Sequence, residues 1–150
     1  MVEGKWFAPG AEIAQTLEIR RTVFGRGEDA LDAMSWNVLV WHEGQAAATG
    51  RLWWQDGAFW LGDLAVLPEL RGLGLGDLTL RLLLFKAESH AARLMKLVCP
   101  SDVAPFFARL GFQQEEPRAD GLIAMSLRGE DLCLDSCKGC QKDCPNRKRL

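Results

Sequence analysis

The sequence predicts an α+β fold: a mixed, mostly antiparallel central sheet flanked by helices, with a short cysteine-rich C-terminal appendage. Residues 35–68 hold three apolar runs in succession, separated by the tight-turn pairs Glu43-Gly44 and Asp56-Gly57, which is the pattern of an antiparallel meander. Residues 58–100 then place a leucine-rich stretch of helical spacing between two short apolar runs, the pattern of a βαβ unit. Four of the five cysteines fall within residues 133–144, where the apolar pattern has already ended.

Taken in order, "AEIAQTLEIRRTVFG" (11–25) sets Ile13, Leu17, Ile19 or Arg20, and Phe24 near helical spacing, with Gly25 as a stop. The polar "RGEDALDAM" (26–34) suits a loop or one short helix. "SWNVLVWHEG", "QAAATGRLWWQDG" and "AFWLGDLAVLP" read as the three strands, the last ended by Pro68. Over 74–90, Leu75, Leu78, Leu82 and Phe85 align along one helical face. "LMKLVCP" (94–100) is a short strand of the buried type. "SDVAPFFARLG" (101–111) suits a short helix with Ser101 as N-cap, Pro105 early and Gly111 as the stop. "FQQEE" and "GLIAMSLRG" close the sheet across a turn at Asp120-Gly121. The expected order is helix, three strands, helix, strand, helix, two strands.

A chain of 150 residues, 48% apolar and 25% charged, suits one globular domain with a substantial core. Its net charge of −2 gives no general affinity for nucleic acid or a membrane surface. No apolar run approaches the roughly 20 residues of a membrane-spanning helix. The opening "MVEGKWFAPG" lacks the basic and apolar regions of a secretory signal, so a cytoplasmic location and a monomer or homodimer are expected.

"DLAVLPELRGLGLGDLTLRLLL" (63–84) joins a strand, a loop with glycines at 72, 74 and 76, and the start of a helix. That order builds an anion site: loop N–H groups point outward, the helix dipole adds positive charge, and missing side chains let a phosphate reach the backbone. The spacing is neither the dinucleotide G-x-G-x-x-G nor a P-loop, and on the glycines alone a plain strand-to-helix turn remains open.

"LAVLPELRGLGLG" resembles the acetyl-CoA signature of the GNAT superfamily of N-acyltransferases, an apolar V-x-P strand end followed by Arg or Gln, two residues, Gly, one residue, and Gly or Ala. Arg71, Gly74 and Gly76 match it. "APFFARLGF" (104–112) resembles the family's a-x-F-Y-x-x-x-G-F segment, and "EIRRTVF" resembles the first helix of small single-domain bacterial members. The resemblance covers about residues 10–128. It implies a GNAT domain over 1–128 and a separate tail over 129–150. It further implies that backbone N–H groups of Arg71, Gly72, Leu73, Gly74, Leu75 and Gly76 cradle the acetyl-CoA pyrophosphate. The pantetheine arm would lie along Leu64, Ala65 and Val66, whose strand offers an N–H to the thioester carbonyl. Arg81, one turn after Asp77, offsets an acid that is unhelpful beside phosphate.

Where the family often carries a tyrosine that protonates the departing thiolate, this chain has Phe107, and it contains no tyrosine at all. Asp63 interrupts an apolar strand just before the thioester contact, and either relays protons through water or forms a salt bridge. Cys99 ends a strand and either faces the thioester or packs as a small core residue. Ser101 suits a cap, and His42 and His90 suit exposed positions. Of Trp53 and Trp54, one ring is expected in the core, the other lining the acceptor site or covering the sheet.

"CLDSCKGCQKDCPNRKRL" spaces Cys133, Cys137, Cys140 and Cys144 as C-x3-C-x2-C-x3-C. Four thiolates this close can wrap one zinc, and the last three with Pro145 resemble part of the bacterial ferredoxin pattern, so an iron–sulfur cluster competes with zinc; a disulfide-paired or reduced tail is the third possibility. The expected activity is transfer of acetyl from acetyl-CoA to a primary amine, on a small molecule or a peptide, by direct attack. The alternative is a non-catalytic acyl-CoA-binding sensor whose cysteine tail responds to metal or redox state.

Overall fold

Residues 1–116 and 118–132 are described by the computed structural model. Strands β1 (Val2–Phe7), β2 (Trp36–His42), β3 (Gln45–Gln55), β4 (Ala58–Val66), β5 (Leu94–Cys99), β6 (Gln113–Gln114) and β7 (Ile123–Arg128) form one sheet in the order β1-β2-β3-β4-β5-β7-β6. All neighbours are antiparallel except β4 and β5, the pair joined by the long helix α2 (Leu75–Ser89). Helix α1 (Ala14–Phe24) precedes β2, and α3 (Ala104–Ala108) follows β5. The mixed α+β sheet with its meander and βαβ unit is therefore as the sequence predicts.

Turn chemistry explains the boundaries. Gly25 caps α1 at φ 72°, its N–H donating to the Arg21 carbonyl. Asp56 and Gly57, at φ 51° and 77°, close the β3–β4 hairpin with the positive dihedrals that a tight two-residue connection needs. Residues 30–34 form a 3₁₀ turn capped reciprocally by Asp29 and Asp32.

Three expectations require correction. β1 adds a seventh strand: its charged, glycine-containing sequence lies at the sheet edge, where burial imposes no alternating pattern. Helix α2 buries Leu75, Thr79, Leu80, Leu83, Leu84 and Ala87, while Phe85 faces solvent, so the buried stripe is rotated from the Leu75–Leu78–Leu82–Phe85 line. Ser101 does not cap α3. It opens a separate 3₁₀ turn, Ser101–Val103, and α3 starts after Val103 with no side-chain cap.

The main core packs α2 and α3 against one sheet face through Leu80, Leu83, Leu84, Phe107, Met95 and Met125. The other face, under α1, is mixed. Ile19, Leu39 and Ala65 form an apolar patch, beside which Thr16, Arg20, Asn37, Thr49 and Arg51 are buried. Beyond β7, the Gly129 N–H donates to the Arg93 carbonyl at 2.8 Å, and Leu132 packs on the core.

Candidate active site

The sheet opens in its middle. β4 pairs with β5 only at Phe59↔Met95 and Trp60↔Lys96. Further along β4, its register against β3 breaks between Thr49 and Arg51, and Asp63 adopts φ 51°. An extra residue with left-handed backbone bends a strand and ends regular pairing. Past this bulge, Ala65 and Val66 pair with Thr49 and Ala48 of β3 on one side, and Leu64, Ala65 and Val66 have no strand partner on the other. The Val66 carbonyl accepts a hydrogen bond from Arg71 Nε at 3.1 Å, which ties the strand end to the loop that follows.

That loop folds as its glycines require. Gly72 and Gly74 sit at φ 85° and 80°, where a side chain is strained, and Gly74 is the N-cap of α2. The first backbone bond into the helix is from the Leu78 N–H to the Gly74 carbonyl, so the N–H groups of Leu75, Gly76 and Asp77 have no helical partner. Together with Leu64, Ala65, Val66 and Arg71 they line a cleft of about 580 Å³, closed by Phe106 and Arg109 on one side and by Val23 and Phe24 of α1 on the other. Arg81 Nε lies 2.8 Å from Asp77 Oδ2, which offsets that acid at the start of α2.

Of the residues expected around acetyl-CoA, Leu64, Ala65, Val66, Arg71, Gly72, Gly74, Leu75 and Gly76 line this cleft. Leu73 points to solvent and Phe107 does not line it. The Phe107 ring is only 8% exposed, packed edge-on against Phe106 and Phe112 in the core. Its neighbour Phe106 faces the cleft instead.

Asp63 is a salt-bridged acid. Its carboxylate lies 3.4 Å from Arg20 Nε and 3.2 Å from Arg51 Nη2, and it receives both terminal nitrogens of Arg26. Arg20 also donates to Asp32 at 2.8 Å and to Asn37 at 2.6 Å; Arg51 donates to both oxygens of Asp29. The Arg51 guanidinium holds the Asp29 carboxyl down to about 2. Burial alone would raise Asp32, yet Arg20 and the Asp29 N–H keep it below the usual carboxylate range. A carboxylate so engaged is a charge partner before it is a base.

Cys99 is buried in the main core, its Sγ 4.0 Å from Met125 Sδ, and burial with the nearby Asp102 pushes its thiol up. It lines neither cleft described here. His90 caps the end of α2 beside Trp36 and Phe59, and His42 ends β2. The metal-ligand candidates Cys133, Cys137, Cys140 and Cys144 lie outside the described residues.

A second cleft, about 460 Å³, lies on the α1 side of the sheet, walled by Trp53, Trp60, Asp63 and Val98 with Gly62 between. Trp53 opposes Trp60 across the β3–β4 pair, and a Cβ at Gly62 would come within 3.0 Å of the Trp53 ring. Gly62 thus lets that indole lie over the bulge. Trp54 points outward, edge-on to Phe59. Sequence reading missed this cleft, and the buried arginines with it. The available signal was Arg20 competing with Ile19 for the buried stripe of α1.

The sequence matches the model of the acetyltransferase (GNAT) domain over residues 35–114. An acyl-CoA N-acyltransferase from Pseudomonas aeruginosa superposes with a TM-score of 0.75 at 21% identity, covering 84% of this chain and 99% of its own. The ribosomal-protein-S18-alanine N-acetyltransferase of Escherichia coli gives 0.65 at 19% identity, over 84% and 94%. A GNAT family acetyltransferase from Elizabethkingia anophelis, solved with acetyl-CoA bound, gives 0.69 at 12% identity, over 85% and 97%. At these identities the likeness is one of fold. No curated protein matches the sequence.

Proposed function

Because this chain belongs to the GNAT acetyltransferase family and is an acyltransferase, we propose that it moves an acetyl group from acetyl-CoA to a primary amine by direct attack. The observation that carries this is the continuity of the first cleft. It runs from the unpaired edge of β4 at Leu64–Val66 to the free N–H groups of Gly76 and its neighbours at the start of α2. Those N–H groups and Arg71 suit the pyrophosphate, and the open strand edge suits the amide-bearing pantetheine arm, which can pair with it as a strand would. The acetyl-CoA seen in the Elizabethkingia structure supports the same ligand here.

With the arm on β4, the thioester arrives near the bulge, where an N–H of the open edge donates to its carbonyl oxygen as negative charge develops. The neutral amine attacks the carbonyl carbon, its nitrogen gives up a proton to water, the carbon–sulfur bond breaks, and the CoA thiolate leaves and takes up a proton. A thiol near the reference value of about 8.5 is a tolerable leaving group, so water can supply that proton. Asp63 walls the second cleft and directly precedes Leu64 of the first, and Cys99 stays outside the reaction because its thiol is buried and hard to ionise.

Residues 1–128 form the acyltransferase unit in this reading, and 129–150 an appended segment that holds one metal site through Cys133, Cys137, Cys140 and Cys144, on the strength of their spacing. Thermal melts with saturating CoA, followed by thiol release from acetyl-CoA over a panel of amines, test the activity. No melting shift with CoA overturns it. Elemental analysis of anaerobically purified protein tests the tail: about one zinc per chain, or iron with matching sulfide, is expected. Metal-free protein with four freely titrating tail thiols overturns that part.

A further inference from the structure

The buried charge cluster has a vacancy that is filled from outside. Three carboxylates, Asp29, Asp32 and Asp63, face two arginines that are almost fully enclosed, Arg20 at 0% and Arg51 at 4% side-chain exposure. The third positive charge comes from Arg26, whose side chain is 49% exposed, against 5% for its partner Asp63. A buried carboxylate needs a compensating cation, and nothing in the electrostatics requires that this cation be Arg26.

Where Arg26 stands gives the vacancy a use. Its guanidinium lies 5.1 Å from the centroid of Phe24, which walls the first cleft, while both terminal nitrogens hold Asp63, which walls the second. Arg26 therefore bridges a wall residue of one cleft to a wall residue of the other. Glycine stands on each side of it, Gly25 at φ 72° and Gly27, and the stretch is short because α1 ends at Phe24 and Asp29 is anchored on Arg51.

We propose that Arg26 is a gate cation: the ammonium of the acceptor replaces its guanidinium at Asp63, and the exchange opens the passage between the clefts. The acceptor it admits is a cationic primary amine on a flat apolar body, the body lying against Trp53, Trp60 and Val98. Exchange of one cation for another keeps the cluster neutral, and Arg26, itself half-exposed, returns to water while Asp63 stays paired. A neutral molecule of the same shape cannot make the exchange. The amine then loses its proton to water before it attacks, so Asp63 binds and selects. This deepens the acyl-transfer reading above and rests on it.

Arg26→Ala is tested with 2-phenylethylamine and its neutral counterpart 2-phenylethanol at equal concentration. The amine is expected to raise the melting temperature of Arg26→Ala more than that of the wild type, and the alcohol to raise both alike. In turnover, KM for the amine should fall by about twofold or more in Arg26→Ala, with KM for acetyl-CoA unchanged. Arg26→Gln, which keeps most of the aliphatic stem and a polar end but loses the charge and the two terminal nitrogens, should behave like Arg26→Ala, so a folding defect peculiar to alanine does not decide the matter. If CoA shifts the wild type while amine and alcohol act alike on both variants, the gate is overturned and acyl transfer stands. If CoA itself gives no shift, acyl transfer falls and the gate with it.

Discussion

Replacing Gly74 or Gly76 by alanine adds the same methyl group to the same loop with opposite consequences. Gly74 sits at φ 80° with open space around the would-be Cβ, so the new side chain meets nothing but is forced into the left-handed region. That strain costs about 1–2 kcal/mol, which for a chain of this length lowers the melting temperature by roughly 2–8 °C. Gly76 lies within α2 in ordinary helical backbone, and its Cβ would stand 3.5 Å from Val66 Cγ2 and 3.7 Å from Phe106 Cζ, normal contact distances. There alanine removes the entropic disadvantage of helical glycine, a gain of up to about 1 kcal/mol and roughly 2–4 °C. Both contacts belong to the cleft wall, so a longer side chain at 76 grows into the ligand space. Gly76→Leu should stay folded and lose the shift that CoA gives the wild type, about 2.7 kcal/mol at a hundredfold excess over Kd. Differential scanning calorimetry with and without CoA reads all three variants. Gly74→Ala as stable as the wild type would refute the strain reasoning, and Gly76→Leu with an undiminished CoA shift would refute the placement of the ligand.

Asp32→Asn strips one charge from a buried cluster and leaves Arg20 and Arg51 undercompensated; a loss of about 3–5 kcal/mol in urea unfolding is expected, and a loss below 1 would show the cluster to be solvated. Asp29 and Asp32 both bind protons less readily folded than unfolded, so the stability they contribute is complete above about pH 4 and drains away as pH falls toward 2, the value of Asp29. Urea midpoints that stay flat from pH 5 to pH 2 would contradict this. Cys99→Ala should keep its turnover at the cost of about 1 kcal/mol of stability; a tenfold loss of kcat with an intact melt would return the thiol to the mechanism. Asp63→Asn keeps a residue that tolerates positive φ and removes the charge, so KM for a cationic acceptor should rise while the pH profile of kcat keeps its shape. Loss of the acidic limb of that profile would make Asp63 a general base.

What the sequence made legible was whatever is encoded locally. Gly25, the Asp56-Gly57 pair and Pro68 end their elements by backbone geometry alone, and the glycine loop announces itself because positive φ at 72 and 74 admits few other residues. Helix α2 was legible as a helix but not in its orientation. Leucines at 75, 78, 80, 82, 83 and 84 surround the axis, and the choice among faces is made by Met95, Leu97 and Leu52 from distant strands. Phe106 and Phe107 are adjacent and chemically identical, so only the packing of Phe112 and Leu110 tells which ring goes inward. The second cleft needed a tryptophan on one strand to find a glycine on the next, across a hairpin.

Asp63 has a structural role beside the catalytic one its place in the sequence invites. A carboxylate inside an apolar strand invites a catalytic reading because strands give acids little structural purpose. Here the purpose exists: the residue takes the left-handed backbone that bends β4 away from β5, and three arginines keep it there. The same arginines that surround the bend keep the carboxylate's charge compensated. The chain thus combines a firmly held scaffold at the reacting point with no tyrosine anywhere, a buried thiol at 99 and a core phenylalanine at 107. General acid assistance is worth roughly 10²–10⁴-fold, and holding the reactants in register can be worth more. In the proposed acyl transfer a site with this composition would concentrate its catalysis on position: the open edge of β4 would set the thioester, the walls of the second cleft would set the amine, and the protons would be left to water.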